Sequence, residues 1–208
     1  MKSDRPKRLT REERRNLTRE QLLISAREVF EERGYAGSAL EEISERAGFT
    51  RKAVYSNFSG KADLLLEIVE RQLQTHVEWV ESILGQGSAG RQALDLGSAF
   101  SSFFSEERAW EQLFHEFCIV AIREEEIGAR FRARLREAKG AITKLVEERV
   151  QSAGVELSLP VERLVLGIFA LMMGIALEKL IDPEAIDDTL FGEMLGSIVT
   201  STIEAGSN

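Results

Sequence analysis

Proline occurs at only three positions, 6, 160 and 183, so the whole stretch from Pro6 to Pro160 contains none. Proline removes a backbone donor and breaks helices, so its scarcity lets long helices run. Ala, Leu, Glu and Arg dominate, and no segment alternates apolar and polar residues in the manner of a strand. These features restrict the chain to helices packed on helices: an all-α fold.

Capping signals divide it. Thr10 with Glu13 and Thr18 with Gln21 each read as a capping box, in which a hydroxyl takes a free amide and the acid or amide side chain reaches back. The apolar set Leu22, Leu23, Ala26, Val29 and Phe30 then stops at Gly34, which predicts a first helix to about Arg33 from a start at Thr18 or Thr10. Ser38 with Glu41 predicts a short helix to about Ala47, Thr50 one over 51–57, and Ser59 a long one over 60–84. "GQGSAG", 85–90, reads as a loop. Further helices are predicted over 91–105, 107–122, 124–153, 160–181 and 184–205, about nine in all.

At 208 residues the chain can bury a real core without staples. The single cysteine, Cys118, excludes an internal disulfide framework and suits a reducing compartment, so a cytoplasmic location is expected. The first twenty residues lack the apolar run of a secretory signal. The longest uncharged apolar run, "LVLGIFALMMGIAL", covers 14 residues, 164–177, against the roughly 20 a membrane helix needs. No membrane partner is expected.

The net charge of −8 hides an asymmetry: residues 1–61 hold 14 Lys and Arg against 10 Asp and Glu, and the remainder 13 against 25. Within 1–19 the count is 8 basic to 3 acidic. A basic head on an acidic body suits a polyanion at one end only.

Residues 38–58 read as two short helices joined by "GFT", the punctuation of a helix-turn-helix. Leu40, Ile43, Ala47, Phe49, Val54 and Phe58 supply its interior; Val54 and Phe58, four apart, share a face. Arg51, Lys52, Tyr55 and Ser56 are left outward. Arg51 or Lys52 can donate to guanine O6 and N7. Thr50, Tyr55 and Lys61 suit phosphate oxygens, which position a helix without reading sequence.

The segment "GYAGSALEEISERAGFTRKAVYSNFSGKADLL", 34–65, preceded by "LLISAREVFEERG", resembles the N-terminal domain of the TetR family of bacterial transcriptional regulators. The resemblance covers about residues 18–70 and rests on Gly34, Tyr35, Ile43, Ala47, Gly48, Phe49, Thr50, Val54, Tyr55, Phe58, Lys61 and Leu64. It implies a homodimer with a three-helix DNA head and a ligand-binding, dimerising body. By motif position Thr50, Arg51, Lys52, Tyr55, Asn57 and Lys61 would face DNA. Ala39 stands where the family often has Thr or Ser, which removes a phosphate contact or passes it to Ser38. Ser44 replaces the usual Ala after the Ile. The implied boundaries are a basic arm, 1–17, a DNA-binding domain, 18–60, and a ligand-binding and dimerisation domain, 61–208.

The body carries Phe100, Phe103, Phe104, Trp110, Phe114, Phe117, Cys118, Phe169, Met172 and Met173. Such soft, large side chains line apolar pockets and ordinary cores alike. The resemblance adds weight to a pocket for a largely apolar small molecule, with His76, Trp79 and His115 as polar handles. Helix 160–181 is apolar all round, so every side needs cover. Gly167, Ala170 and Gly174 would admit a partner helix closely, and Leu190, Phe191, Met194, Leu195 and Ile198 of the last helix would complete a two-fold interface.

No cofactor, metal site or enzymatic activity is expected. His115 and Cys118 share a helix face, but "WEQLFHEFCIV" is an apolar helix that would bury an inert thiol. Two histidines are too few for most metal sites. The expected function is a repressor released from a palindromic double-stranded DNA operator by a small-molecule effector. The alternative is a helical ligand-sequestering or interaction protein without specific DNA binding.

Overall fold

The computed structural model describes residues 10–84 and 89–206. Among these the secondary structure is helical throughout: α1 (Arg11–Gly37), α2 (Leu40–Arg46), α3 (Arg51–Tyr55), α4 (Lys61–Leu84), α5 (Ala89–Glu106), α6 (Arg108–Arg123), α7 (Glu125–Ala153), α8 (Val161–Ile181) and α9 (Leu190–Gly206). The expected all-α fold with about nine helices is what is found. Two compact units divide within α4, the first ending at Val69 and the second beginning at Glu70. The expected division placed that boundary at 60/61. Most of the basic arm, residues 1–9, and most of the "GQGSAG" loop lie outside the described residues.

Helix α1 starts at the earlier of the two expected boxes. Glu13 N donates to Thr10 Oγ1 at 3.1 Å, and Thr10 N donates to Glu13 Oε2 at 2.6 Å. These bonds hold the Glu13 carboxyl below its ordinary pKa. Thr18 and Gln21 lie inside the continuous helix, so the second box does not form. Residues 10–17 are exposed, and burial begins with Leu22 and Leu23. The helix breaks at Gly34, whose φ of 69° is left-handed and open to glycine at little cost.

The Ser38 box does not form either. Ser38 is buried and its hydroxyl donates to Tyr35 O at 2.9 Å, while Ala39 holds the N-cap of α2 with no side-chain bond. Gly48, φ 74°, makes the turn between α2 and α3 in the same left-handed region. Thr50 occupies the N-cap of α3 without a side-chain capping bond. At the start of α4 the Asp63 carboxylate accepts the Ser59 amide at 3.0 Å.

In the second unit α5 packs on α9, α6 on α7 and α8, and α8 on α7 and α9. One core joins Phe100 and Phe104 of α5, Ile175 and Ala176 of α8, and Phe191 and Leu195 of α9. The last helix begins six residues later than expected. Asp187 Oδ1 accepts the amides of Thr189 at 2.8 Å and Leu190 at 3.2 Å, so an aspartate cap starts α9, not Pro183. The turn before it is locked by Lys179, whose Nζ meets Asp188 Oδ1 at 2.5 Å, and by Ser101 Oγ, which donates to Asp188 O at 2.5 Å.

Candidate nucleic-acid interface and the helical body

The short helix α3 has one apolar anchor, Val54, which is fully buried, and Phe58 follows it inward. Two ties to neighbouring helices hold this pair in place. Arg46 of α2 forks onto Glu32 of α1, with Nη1–Oε1 at 2.5 Å and Nη2–Oε2 at 2.8 Å. Arg19 of α1 donates to Asn57 O at 2.6 Å, pairs through Nε and Nη2 with Glu67 of α4, and lies 4.2 Å over the Phe58 ring. The end of α3 is thus fixed to both long helices of the first unit.

Of the seven residues expected to face DNA, four are on one exposed surface: Thr50, Arg51, Lys52 and Tyr55. Tyr55 is 51% exposed, unusual for an aromatic side chain without an external partner. Three are turned elsewhere. Ser38 is buried with its hydroxyl on Tyr35 O. Asn57 donates to Ala53 O at 2.8 Å, and its Oδ1 is buried with no partner among the described residues. Lys61 Nζ donates to the carbonyls of Tyr35 at 2.6 Å and Ser38 at 3.1 Å, and lies 4.5 Å from the Tyr35 ring. It closes the polar groups left by the Gly34 break and holds α1 to α4. The motif gave these three the right neighbourhood but not their direction.

One residue of this surface escaped sequence reasoning. Glu41, in the first turn of α2, pairs with Arg51 Nη1, and Arg51 Nη2 donates to Tyr55 OH at 3.0 Å. Spacing within one helix cannot show it, because the contact crosses the glycine turn.

In the second unit the expected effector residues divide. Phe100, Phe104, Trp110 and Phe117 are buried in the core. Phe100 stacks on Phe191 at 4.6 Å, and Phe117 meets Phe131 edge-on at 5.3 Å. His76, Trp79, Phe103, Phe114, His115, Cys118, Phe169, Met172 and Met173 are half-buried. His76 sits edge-on to Phe103 at 4.8 Å, and burial pushes its imidazole down to about 4. His115 joins two helices: Nδ1 faces Glu111 O at 2.8 Å and Nε2 faces Met173 O at 3.4 Å. Beside it, burial raises the Glu111 carboxyl to about 7. Burial, with Glu111 adding to it, raises the Cys118 thiol to about 11, which disfavours the nucleophilic thiolate.

The expected interface residues also divide. Gly167, Ala170, Gly174 and Met194 are exposed, in one stripe with Leu166, Leu177 and Ile181 on α8. Ile198 and Leu190 are half-buried, and Leu190 packs against the core. Phe191 and Leu195, 5% and 2% exposed, are filled into that core and have no surface to offer a partner. As a helix, α8 is 21 residues, longer than its uncharged run, and by length and composition alone could cross a membrane. Its Lys179 is buried on Asp188 within the fold.

Residues 22–68 match the model of the family described as bacterial regulatory proteins, tetR family. The chain is 36% identical over 113 residues to the HTH-type transcriptional activator FasR of Mycolicibacterium smegmatis, a match covering 54% of this chain and 50% of FasR. It therefore spans about half the length of that relative. It is 26% identical over 190 residues to the HTH-type transcriptional regulator TtgR of Pseudomonas putida, 86% of this chain and 88% of TtgR. A Mesorhizobium loti structure assigned to the TetR family superposes with a TM-score of 0.74 at 16% identity, over 94% of this chain and 98% of that one. The head with its glycine turn, the helical body and these likenesses agree: the chain belongs to the TetR family of bacterial regulatory proteins.

Proposed function

We propose that the chain is a dimeric, ligand-responsive transcriptional regulator that binds a palindromic operator as a repressor and leaves it when a largely apolar small molecule enters its body. The observation that carries this is the outward face of α3, where Arg51, Lys52 and Tyr55 stand exposed behind the Gly48 turn. It offers guanidinium and ammonium donors to base edges and a phenol to phosphate. The exposed α8 stripe supports pairing with a second copy, since glycines at its centre let two helices approach closely. The half-buried set around His76, Phe103, Phe114 and His115 supports an effector site whose walls are apolar with few polar groups. An effector that favours the non-binding form by roughly 1–3 kcal/mol would suffice for regulation.

Selection of bound duplexes from a random pool at near-physiological salt tests this. A two-fold symmetric motif with half-sites about 34–36 Å apart is expected. Binding without enrichment would leave only sequence-blind affinity and favour the sequestering alternative. One observation points that way: Ser38 does not take over the contact that Ala39 cannot make. FasR is named an activator, so transcription from the selected operator decides the sign of regulation.

Replacing Arg51 with alanine should weaken operator binding by about 1–3 kcal/mol and relax preference at one base pair. Equal loss on every sequence would reassign Arg51 to phosphate.

A further inference from the structure

We propose that Glu41 sets the DNA specificity of the head by holding Arg51, so that only a site offering Arg51 a better acceptor releases it. The proposal rests on the reading of α3 as the helix that meets DNA.

Arg51 is the best candidate on α3 for a base contact, and it is already engaged. Its Nη1 is paired with the Glu41 carboxylate across the turn. Its Nη2 donates to Tyr55 OH at 3.0 Å, and its guanidinium carbon lies 5.4 Å from the Tyr55 ring. Both charged side chains remain about half exposed, 56% for Arg51 and 51% for Glu41, so the pair lies on the surface that DNA would approach.

A carboxylate here is unexpected on electrostatic grounds alone, because a polyanion repels it. Its effect on binding depends on what DNA gives Arg51 in exchange. A guanine presents O6 and N7 together and takes the planar guanidinium fork in a bidentate contact. A phosphate on arbitrary sequence offers a screened, mobile contact of the kind that exposed ion pairs already make in water. Losing Glu41 is therefore repaid at a matching base and poorly repaid elsewhere. A repulsive element against the wrong partner is a common source of specificity. Tyr55 adds to this by keeping the guanidinium directed along α3 when Glu41 lets go. Glu41 is thus a positioning residue that acts through Arg51 and not a base-reading group.

The experiment compares affinity for the selected operator with affinity for a random-sequence duplex of equal length, in wild type, Glu41→Gln, Arg51→Ala and the double variant. Thermal melting confirms that each variant is folded; Glu41→Ala serves if Gln does not fold. The expected result is that Glu41→Gln tightens random DNA by roughly two- to fivefold and the operator by less, so the ratio between them falls. In the Arg51→Ala background that fall should vanish. An equal gain on both duplexes in both backgrounds would reduce Glu41 to a like charge and overturn the proposal. An unchanged ratio in the wild-type background would overturn it too. Failure of the wild type to enrich any operator is a different result, which removes the DNA reading itself.

Discussion

Gly97→Ala should destabilise the second unit by about 3 kcal/mol, the upper end of overpacking penalties. At Gly97, α5 crosses α9 with its backbone against Gly192. An added Cβ would stand 2.3 Å from Gly192 Cα and 2.8 Å from its nitrogen. Both are backbone atoms, so no side chain can rotate away and the helices must separate. Separation loosens Phe100, Phe104, Phe191 and Leu195 together, since the same two helices supply them. Helix propensity pulls the other way, because alanine is favoured over glycine by about 1 kcal/mol in a helix interior. The steric term wins here. At Gly140 of α7 nothing lies within 4 Å of an added Cβ, so only propensity should act. Gly140→Ala is expected to stabilise by up to about 1 kcal/mol. Urea unfolding of the two variants measures the contrast. A Gly97→Ala protein as stable as wild type would mean that the α5–α9 crossing is wider than described.

The second large effect depends on pH. The Glu111 carboxyl is raised from an ordinary 4.5 to about 7, first by burial, with Glu107 adding to the rise and His115 opposing it. Between those values the folded protein keeps a proton that the unfolded chain has released, so stability falls as pH rises. At about 1.4 kcal/mol per unit the total is about 3 kcal/mol. His76 works in the opposite sense. Burial lowers it from 6.5 to about 4, so between those values the unfolded chain takes a proton that the folded one refuses. Its stability contribution is lost as pH falls through that window. The two slopes oppose each other between about pH 4.5 and 6.5, and wild type should be nearly flat there as far as these groups decide it. Glu111→Gln removes the falling arm. The variant should match wild type near pH 4 and exceed it by about 3 kcal/mol near pH 8. Those conditions lie on either side of the isoelectric point of about 5.1, where solubility is lowest. Denaturation midpoints at both pH values test this, and a constant difference would remove Glu111 as the cause.

The legible part of the chain was the part whose physics is local. Glycine stops, apolar periodicity and the Thr10 box marked nearly every helix, and the "GFT" turn placed α3. What stayed hidden involved direction or partners far along the chain. Ser38 and Lys61 were read as free polar groups on a binding face. Their hydrogen-bonding capacity goes to carbonyls near the Gly34 break, which only the folded turn brings to them. Phe191 and Leu195 were assigned to an interface from apolarity, but a helix with several apolar faces does not say which one looks inward. Asp187 outcompeted Pro183 for the start of α9 because a carboxylate capping two amides is a stronger stop than proline alone is a start.

The bare face of α8 makes copy number part of this protein's stability. Leu166, Leu177 and Ile181 are 55%, 44% and 70% exposed in a single chain. On the dimeric reading they are covered only after two chains meet, so pairing and folding share one equilibrium. When the two are fully coupled, each tenfold dilution removes about 1.4 kcal/mol of apparent stability. The melting temperature should fall as the protein is diluted, whereas a stable monomer would melt at the same temperature throughout. A cell that holds few copies would then hold a weaker fold, and expression level would regulate the regulator without any effector.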